Sequence, residues 1–191
     1  PVNALIGLGY VALESDKPTA KADFDEVLAI STRTGNQNGQ AQAHLCLGHL
    51  ARDAGNPGAA RSHYELALDT YTRINDHMGR TEAFLGLGHL DRDAGDHPTA
   101  RSHYEEALAL STRIGNQIGA ANTQWELGLI AQASGNCEQT AEHWRAALAI
   151  YEHVGVSADN VRNALAQLHE ELVPERGVHL PELEADVTAA D

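Results

Sequence analysis

The sequence predicts an all-α fold built from stacked pairs of helices, and three observations lead to that expectation. The stretch LGHLARDAG at residues 47–55 returns as LGHLDRDAG at residues 87–95, forty positions later. Aromatic residues make up only 5% of the 191 residues, which suits helices that pack closely through small side chains. Each copy also has an Asn or Asp before its apolar pattern and a Gly after it, which are typical helix start and stop signals. Such repetition is typical of stacked units that cannot bury an apolar face alone.

The first helix of a unit is predicted from about residue 37 to residue 54. Asn36 suits the N-cap, and Gly55 suits the left-handed residue that follows a helix. Apolar residues at steps of four, three and four form one stripe on this helix, so we expect them to be core. In two successive copies the stripe consists of Ala43, Leu47, Leu50 and Ala54, and then of Ala83, Leu87, Leu90 and Ala94.

The second helix of a unit is predicted over about residues 57–74. Its inward side is expected to carry Ala60, Tyr64, Ala67, Leu68 and Tyr71. Glycine recurs in the first helices at Gly48, Gly88 and Gly128. We expect these glycines to let neighbouring helices approach each other closely.

A motif repeats across the units. A Leu-Gly pair in the first helix is followed in the second helix by a spaced Ala, aromatic residue and Ala. The residues are Leu47, Gly48, Ala60, Tyr64 and Ala67; then Leu87, Gly88, Ala100, Tyr104 and Ala107; and then Leu127, Gly128, Trp144 and Ala147, with Thr140 in place of the first Ala. This motif resembles that of the tetratricopeptide repeat family, and the spacing of forty resembles its longer-helix subtype. The resemblance implies a right-handed superhelical solenoid of about four helix pairs with a C-terminal capping helix.

The repeats are predicted at about residues 1–35, 36–75, 76–115 and 116–155, with the capping helix at 158–172. Together they make a solenoid over residues 1–172. Residues 173–191 are acidic and interrupted by Pro174 and Pro181, so we expect a disordered tail or linker. The chain begins within the repeat pattern, so we expect it to be part of a longer protein.

The charge of the chain argues against several functions. With 27 acidic and 13 basic residues the formal net charge is -14, so we expect no direct binding of nucleic acid. No apolar run is long enough to cross a membrane. Cys46 and Cys137 lie far apart in the sequence, which indicates neither a disulfide framework nor a zinc site, and a cytoplasmic location is expected.

No arrangement typical of catalysis is found. The sequence has no nucleophile paired with a base and no glycine-rich loop with the Lys and Ser or Thr of a phosphate cradle. His63, His103 and His143 recur with the repeat, and stacked copies hold equivalent side chains about 8–10 Å apart, too far for shared metal ligation. We therefore expect neither an enzyme nor a bound metal or cofactor.

The candidate binding residues lie on the first helices, on the side opposite the apolar stripe. By the family resemblance this side lines a concave groove that holds a peptide or a partner segment. The candidates are Leu45, His49, Arg52 and Asp53, their equivalents Leu85, His89, Arg92 and Asp93, and Trp125. Alternatively, the Arg-Asp pairs form a solvated face, and Leu or Trp packs on a neighbouring helix. Because His49 and His89 lie near carboxylates, we expect their charged forms to be favoured.

The expected function is a protein-interaction module that binds a protein, a peptide or a neighbouring domain of its own chain. The repeats most resemble those attached to actinobacterial multidomain transcriptional regulators, which implies a regulatory or sensing role. Two alternatives stay open: a free-standing adaptor or scaffold, and a homo-oligomerisation module.

Overall fold

The computed structural model describes residues 5–7, 9 and 17–176, with side chains up to Glu170. The chain divides into two compact units, Pro1–Gly115 and Asn116–Asp191. The first unit contains α1 (Lys17–Thr34), α2 (Gln37–Asp53), α3 (Pro57–Arg73), α4 (His77–Asp93) and α5 (His97–Arg113). The second contains α6 (Gln117–Ala133), α7 (Cys137–Val154) and α8 (Asp159–Arg176). No strand occurs among the described residues, and the predicted all-α class is confirmed.

The six turns that precede α2 to α7 are built in nearly the same way. The side-chain oxygen of an Asn or Asp accepts a hydrogen bond from the backbone N–H three residues later, as between Asn36 and Gly39 at 3.1 Å and between Asn116 and Gly119 at 2.9 Å. The preceding residue is left-handed. It is glycine in most turns, for example Gly55 with φ +70°, and Asn75 with φ +57° in one. These local signals explain why the predicted helix ends differ from the observed ones by a residue at most in α2 and α3.

The core of each helix pair is an aromatic ring that lies against a glycine. Tyr64 and Tyr104 are fully buried. A Cβ atom added at Gly48 would lie 2.6 Å from the ring of Tyr64, and one added at Gly88 would lie 2.6 Å from the ring of Tyr104. The predicted close approach at these glycines is therefore observed.

The apolar stripe is buried except at its last position. Ala43, Leu47 and Leu50 are core residues, and so are their equivalents in α4. Ala54 and Ala94 are exposed, so their assignment to the core is wrong. Each is the C-cap residue of its helix, and the chain already turns away from the neighbouring helix there.

The second unit ends with a helix that covers the last pair. Val161, Leu165 and Leu168 of α8 share one apolar cluster with Trp144 and Tyr151 of α7. The helix runs to Arg176 and includes Pro174, so it extends beyond the predicted end at residue 172. The rest of the predicted tail, residues 177–191, lies outside the described residues, as does most of the first predicted helix of the opening repeat.

Candidate functional site

The two His-Arg-Asp patterns lie at equivalent places on α2 and α4 in the first unit. We call these six residues the His-Arg-Asp stripe; they are His49, Arg52, Asp53, His89, Arg92 and Asp93. The histidines and arginines are half-buried, and both aspartates are exposed. Arg52, Asp53 and His89 all act electrostatically on His49, so the residues of neighbouring repeats are close enough to interact.

His49 is held by the buried tyrosine of its own repeat. Its Nδ1 is hydrogen-bonded to the Tyr64 hydroxyl at 2.8 Å, and the two rings meet edge to face with centroids 5.3 Å apart. The rings of His89 and Tyr104 also meet edge to face, with centroids 5.7 Å apart. The tyrosines thus reach from the core to the stripe and orient both imidazole rings.

The charge expected on His49 is not favoured. Burial, together with the nearby charges of Arg52 and His89, lowers the pKa of His49 from 6.5 to about 4, against the opposing effect of Asp53. The loss of hydration therefore outweighs the carboxylate. His49 is neutral at pH 7, and the predicted preference for its charged form is wrong.

Charged groups of the stripe are engaged in exposed ion pairs. Lys17 of α1 donates to Asp53 at 2.8 Å, and this hydrogen bond is the largest cause of the lowered pKa of the Asp53 carboxyl. Arg92 donates to the adjacent Asp93 at 3.3 Å. Exposed pairs of this kind contribute about 0–1 kcal/mol, so a partner group can compete with them at little cost.

Glu82 lies beside the stripe on α4. Its side chain is exposed to solvent, yet desolvation by the surrounding protein raises the pKa of its carboxyl, with His89 opposing. A side chain that water reaches while protein atoms crowd around it lies in a recess rather than on an open face. Because solvent reaches the Glu82 side chain, a partner can reach it too.

The apolar candidates behave differently from the stripe. Leu45 is only 7% exposed and belongs to the core cluster that contains Tyr64 and Leu87. Its assignment to a binding surface is therefore wrong. The reason is that α2 packs against both α3 and α4, so a wider arc of the helix is buried than one stripe. Leu85, its equivalent, is half-buried.

Trp125 belongs to the second unit and packs against its own helix pair. Its ring stacks on Trp144 with centroids 5.1 Å apart, and the Trp144 indole N–H donates to the Trp125 carbonyl at 3.3 Å. Trp125 is half-buried. Part of its ring is therefore used in packing, as the alternative interpretation of this residue predicted.

The contribution of the tyrosines to the stripe was missed in the sequence, although a signal is present. His and Tyr are fifteen residues apart in two copies, at His49 and Tyr64 and at His89 and Tyr104. In the third copy the aromatic residue is Trp144, and the position of the histidine holds Leu129. The two positions change together, as expected for side chains in contact.

A second polar cluster joins the two helix pairs of the first unit. The Asp91 side chain, only 3% exposed, pairs with Arg61 of α3 and accepts a hydrogen bond from Nδ1 of His103 of α5 at 2.7 Å. It was not predicted. Within the described part of the chain, no group of three or more His, Cys, Asp or Glu side chains is arranged to hold a metal ion.

Comparisons with known proteins agree with this architecture. Residues 39–113 match the tetratricopeptide repeat family. No curated protein matches the sequence. Among the described helices, none is long and apolar enough to cross a bilayer.

Several solved structures share the fold at low sequence identity. BtubC from P. vanneervenii has a TM-score of 0.72 at 18% identity, over 81% of this chain and 64% of its own. The apo form of RapI has a TM-score of 0.78 at 10% identity, over 89% of this chain and 63% of its own. The chain thus spans slightly less than two thirds of either protein.

A third similar structure aligns with this chain along nearly the whole length of both. It is a putative kinesin light chain from Podosopora anserina, described as having nearly identical TPR-like repeats. Its TM-score is 0.73 at 16% identity, over 98% of this chain and 93% of its own. These likenesses establish the fold, and the family match supports a protein-interaction module. Residues 39–113 thus match tetratricopeptide repeats, and they lie in an all-helical repeat fold.

Proposed function

We propose that this chain binds a protein partner through the His-Arg-Asp stripe, in a groove formed by the first helices of successive repeats. The observation that carries the proposal is the duplication of the same three side chains on α2 and α4, close enough for His49 and His89 to interact. Two copies of one pattern favour an extended ligand that crosses both repeats over a compact ligand that touches one helix.

The chemistry of the stripe suggests the kind of ligand. Arg52 and Arg92 can each donate a bidentate pair of hydrogen bonds to a carboxylate, from an acidic side chain or a C-terminus of the partner. The net charge of -14 favours a partner that is neutral or basic overall. We therefore expect the ligand to be an extended segment that carries a carboxylate, in a partner whose surface has little negative charge overall.

The biological setting is proposed from the family resemblance alone. We infer that the repeats form the regulatory or sensing region of a larger bacterial transcriptional regulator in the cytoplasm, with other domains binding DNA or nucleotide. A free-standing adaptor is the second candidate, and the reading frames on either side of this sequence separate the two. A homo-oligomerisation module is the third. Sedimentation over a hundredfold range of concentration tests it, because only this candidate requires reversible self-association.

The test of the stripe starts with a photo-reactive benzoylphenylalanine at the exposed Glu82 beside the stripe and, as a control, at the exposed Glu105 of α5. A partner identified by cross-linking from position 82 alone is then titrated by calorimetry. We expect the double change Arg52→Ala and Arg92→Ala to weaken binding by about 2–5 kcal/mol, well over tenfold. Each change should alter the unfolding free energy by no more than about 0.5 kcal/mol.

The matched control removes two arginines from the second helices. Arg73 and Arg113 are both exposed and lie in the last turns of α3 and α5. Changing both to Ala alters the net charge as much as the stripe variant does and should leave the affinity unchanged. Equal affinities of the wild type and the stripe variant, with folding intact, would remove the stripe from the binding site.

A further inference from the structure

A cleft of about 460 Å³ opens in the first unit where α1, α2 and α3 meet. Leu47, Leu50 and Ala51 line its apolar floor, and Lys17, Lys21 and His63 lie around it. It is separate from the His-Arg-Asp stripe except for Asp53, which lines both. A site at this cleft therefore adds a second contact surface to the proposed groove.

The next repeat shows what can fill such a cleft. Forty positions later, Arg61 takes the place of Lys21, Asp91 that of Ala51, and His103 that of His63. There the Asp91 carboxylate enters from the helix itself, pairs with Arg61 and accepts from His103 at 2.7 Å. With its side chain only 3% exposed, this carboxylate is a built-in occupant of the junction between two repeats.

The first junction keeps the two partner groups, but position 51 on α2 is alanine and supplies no acid. Ala51 ends in a methyl group at the point where the side chain of Asp91 continues to its carboxylate. Lys21 instead pairs along its own helix with Asp25 at 2.7 Å, and the two side chains are 64% and 51% exposed. An exposed pair at i,i+4 is weak, so the ammonium group can exchange it for a carboxylate inside the cleft.

The other polar groups near the cleft set limits on a ligand. Nδ1 of His63 lies 3.1 Å from Nδ1 of His44, so at least one of these two nitrogens carries a proton. Asp25 acts electrostatically on His63, and Asp53 is held by Lys17 at 2.8 Å. Both aspartates are neutralised by a lysine. The carboxylate of a ligand must therefore compete with these aspartates for the lysines, so we expect moderate affinity.

We propose that this cleft binds the side-chain carboxylate of a glutamate in a partner protein, which takes the position that Asp91 occupies in the next repeat. The carboxylate pairs with Lys21 and accepts a hydrogen bond from Nε2 of His63, because Nδ1 of this ring is engaged by His44. The methylene groups of the glutamate lie against Leu47 and Leu50, as the stems of long charged side chains commonly lie on apolar surface. Glutamate fits better than aspartate because the acid enters from solvent and must reach across the cleft.

The probe is a short peptide, acetyl-Gly-Leu-Glu-Leu-Gly-amide, whose capped ends leave glutamate as its one acid. It is titrated into the ¹⁵N-labelled full chain and compared with the same peptide carrying glutamine. We expect saturable amide shifts in residues 47–63 and at least fivefold tighter binding of the glutamate peptide. Equal binding of the two peptides would overturn the proposal. Tighter binding of the glutamine peptide when its C-terminal carboxylate is left free would also overturn it.

Two reciprocal variants test the comparison between the junctions. Ala51→Asp supplies the acid from within, so the glutamate peptide should bind at least tenfold more weakly while the melting temperature stays equal or rises. Asp91→Ala removes the built-in acid, so new shifts should appear around Arg61 and His103. Lys21→Gln keeps the cleft open and removes its cation, which should abolish the preference for glutamate over glutamine. Unchanged binding in both Ala51→Asp and Lys21→Gln would place the peptide elsewhere.

Discussion

The imidazole of His49 illustrates how packing determines the state of a polar side chain. Its position was predicted from spacing alone, but its charge depends on the Tyr64 ring against which it lies. A neighbouring carboxylate in the sequence therefore gives no reliable sign of the protonation of a half-buried histidine. For single residues, the sequence predicts the position of each side chain on its helix, but it does not predict how much hydration the side chain loses on folding.

This burial makes the stability of the chain dependent on pH. Unfolded His49 takes up a proton near its ordinary pKa of 6.5, whereas the folded residue does so only near 4. The stabilisation is therefore fully present above pH 6.5 and is lost as the pH falls towards 4. Between pH 6.5 and pH 4, we expect the unfolding free energy of His49→Gln to fall by up to about 3 kcal/mol less than that of the wild type.

Urea denaturation at pH 7 and pH 4.5 measures that difference. His44 and His63 also have lowered pKa values caused by burial, but they titrate equally in both proteins and so cancel. Equal losses in the wild type and the variant would contradict the assignment of a low pKa to His49. An NMR titration of the His49 ring gives the value directly.

Gly88 gives a prediction about packing. A Cβ atom there would lie 2.6 Å from Cε1 of Tyr104, whose ring is fully buried and has no room to move away. We expect Gly88→Ala, and more strongly Gly88→Leu, to lower the unfolding free energy by about 1–3 kcal/mol, although both residues favour a helix over glycine.

The control for this change is another helical glycine. At Gly58 the added Cβ would meet only the Asn56 side chain, at 3.9 Å, so Gly58→Ala should leave the unfolding free energy unchanged or raise it. Denaturation midpoints of both variants decide the matter. A Gly88 variant as stable as the wild type would mean that the helices do not touch there.

At the scale of elements, the ends of α2 and α3 could be predicted because their signals are local. The prediction of about 37–54 compares with Gln37–Asp53, and that of about 57–74 compares with Pro57–Arg73. The burial of Leu45 could not be predicted in the same way. It depends on α2 touching two other helices at once, a property of the assembled unit.

The cluster around Asp91 was missed for a related reason. Arg61 and His103 lie thirty and twelve positions from Asp91 in the chain, so no short motif joins them. The one sequence signal is an aspartate in α4 at the place where α2 and α6 have Ala51 and Ala131. A charged residue at a position that is otherwise alanine is worth examining in any repeat.

The turn between α3 and α4 allows a test of helix ending. Asn75 has φ +57°, whereas the equivalent turns have glycine, and Gly55 has φ +70° with open space around it. A left-handed conformation costs an L-residue about 1–2 kcal/mol, and asparagine less. We expect Asn75→Gly to raise the unfolding free energy by up to about 1 kcal/mol and Gly55→Ala to lower it by about 1–2 kcal/mol. A Gly55→Ala chain with unchanged stability in urea would show that the turn rearranges.

The capping helix α8 gives a prediction about the second unit. Val161, Leu165 and Leu168 are buried against α7, and each such side chain contributes about 1.5–3 kcal/mol. Truncation after Ser157 should therefore lower the melting temperature strongly. Truncation after Arg176 should leave it nearly unchanged, because residues 177–191 have little apolar surface to bury. A large fall in the second case would mean that these residues pack against the solenoid.

At the scale of the whole molecule, the charge of -14 makes a prediction that does not depend on the stripe. We expect this chain to show no binding to a fluorescent DNA duplex at 150 mM salt, because it would place acidic surface against phosphates. Fluorescence anisotropy up to a chain concentration of about 100 μM tests this. Saturable binding that weakens with added salt would contradict it and would point to a basic patch hidden in the overall charge.

Repetition was the most informative property of the sequence at this scale. It indicated the helix pairs and the all-α class, and it singled out the stripe as a candidate, whose role in binding stays a prediction. It could not reveal how equivalent junctions differ, because the difference lies in which side chain of one repeat meets which side chain of the next. A motif shared by all repeats does not show the substitutions that distinguish one repeat from another.

The uniform turns have a consequence for how such a chain can change in evolution. The starts of α2 to α7 are each capped by a side chain of their own turn, as with Asn56 and the N–H of Ala59 at 3.1 Å, and Asn136 and the N–H of Gln139 at 3.1 Å. A tandem duplication or deletion of forty residues, from one Asn or Asp cap to the equivalent cap of the next repeat, therefore keeps the capping hydrogen bond at the join. Recombination within the gene can lengthen or shorten the array in whole units, and each new copy is then free to acquire its own substitutions.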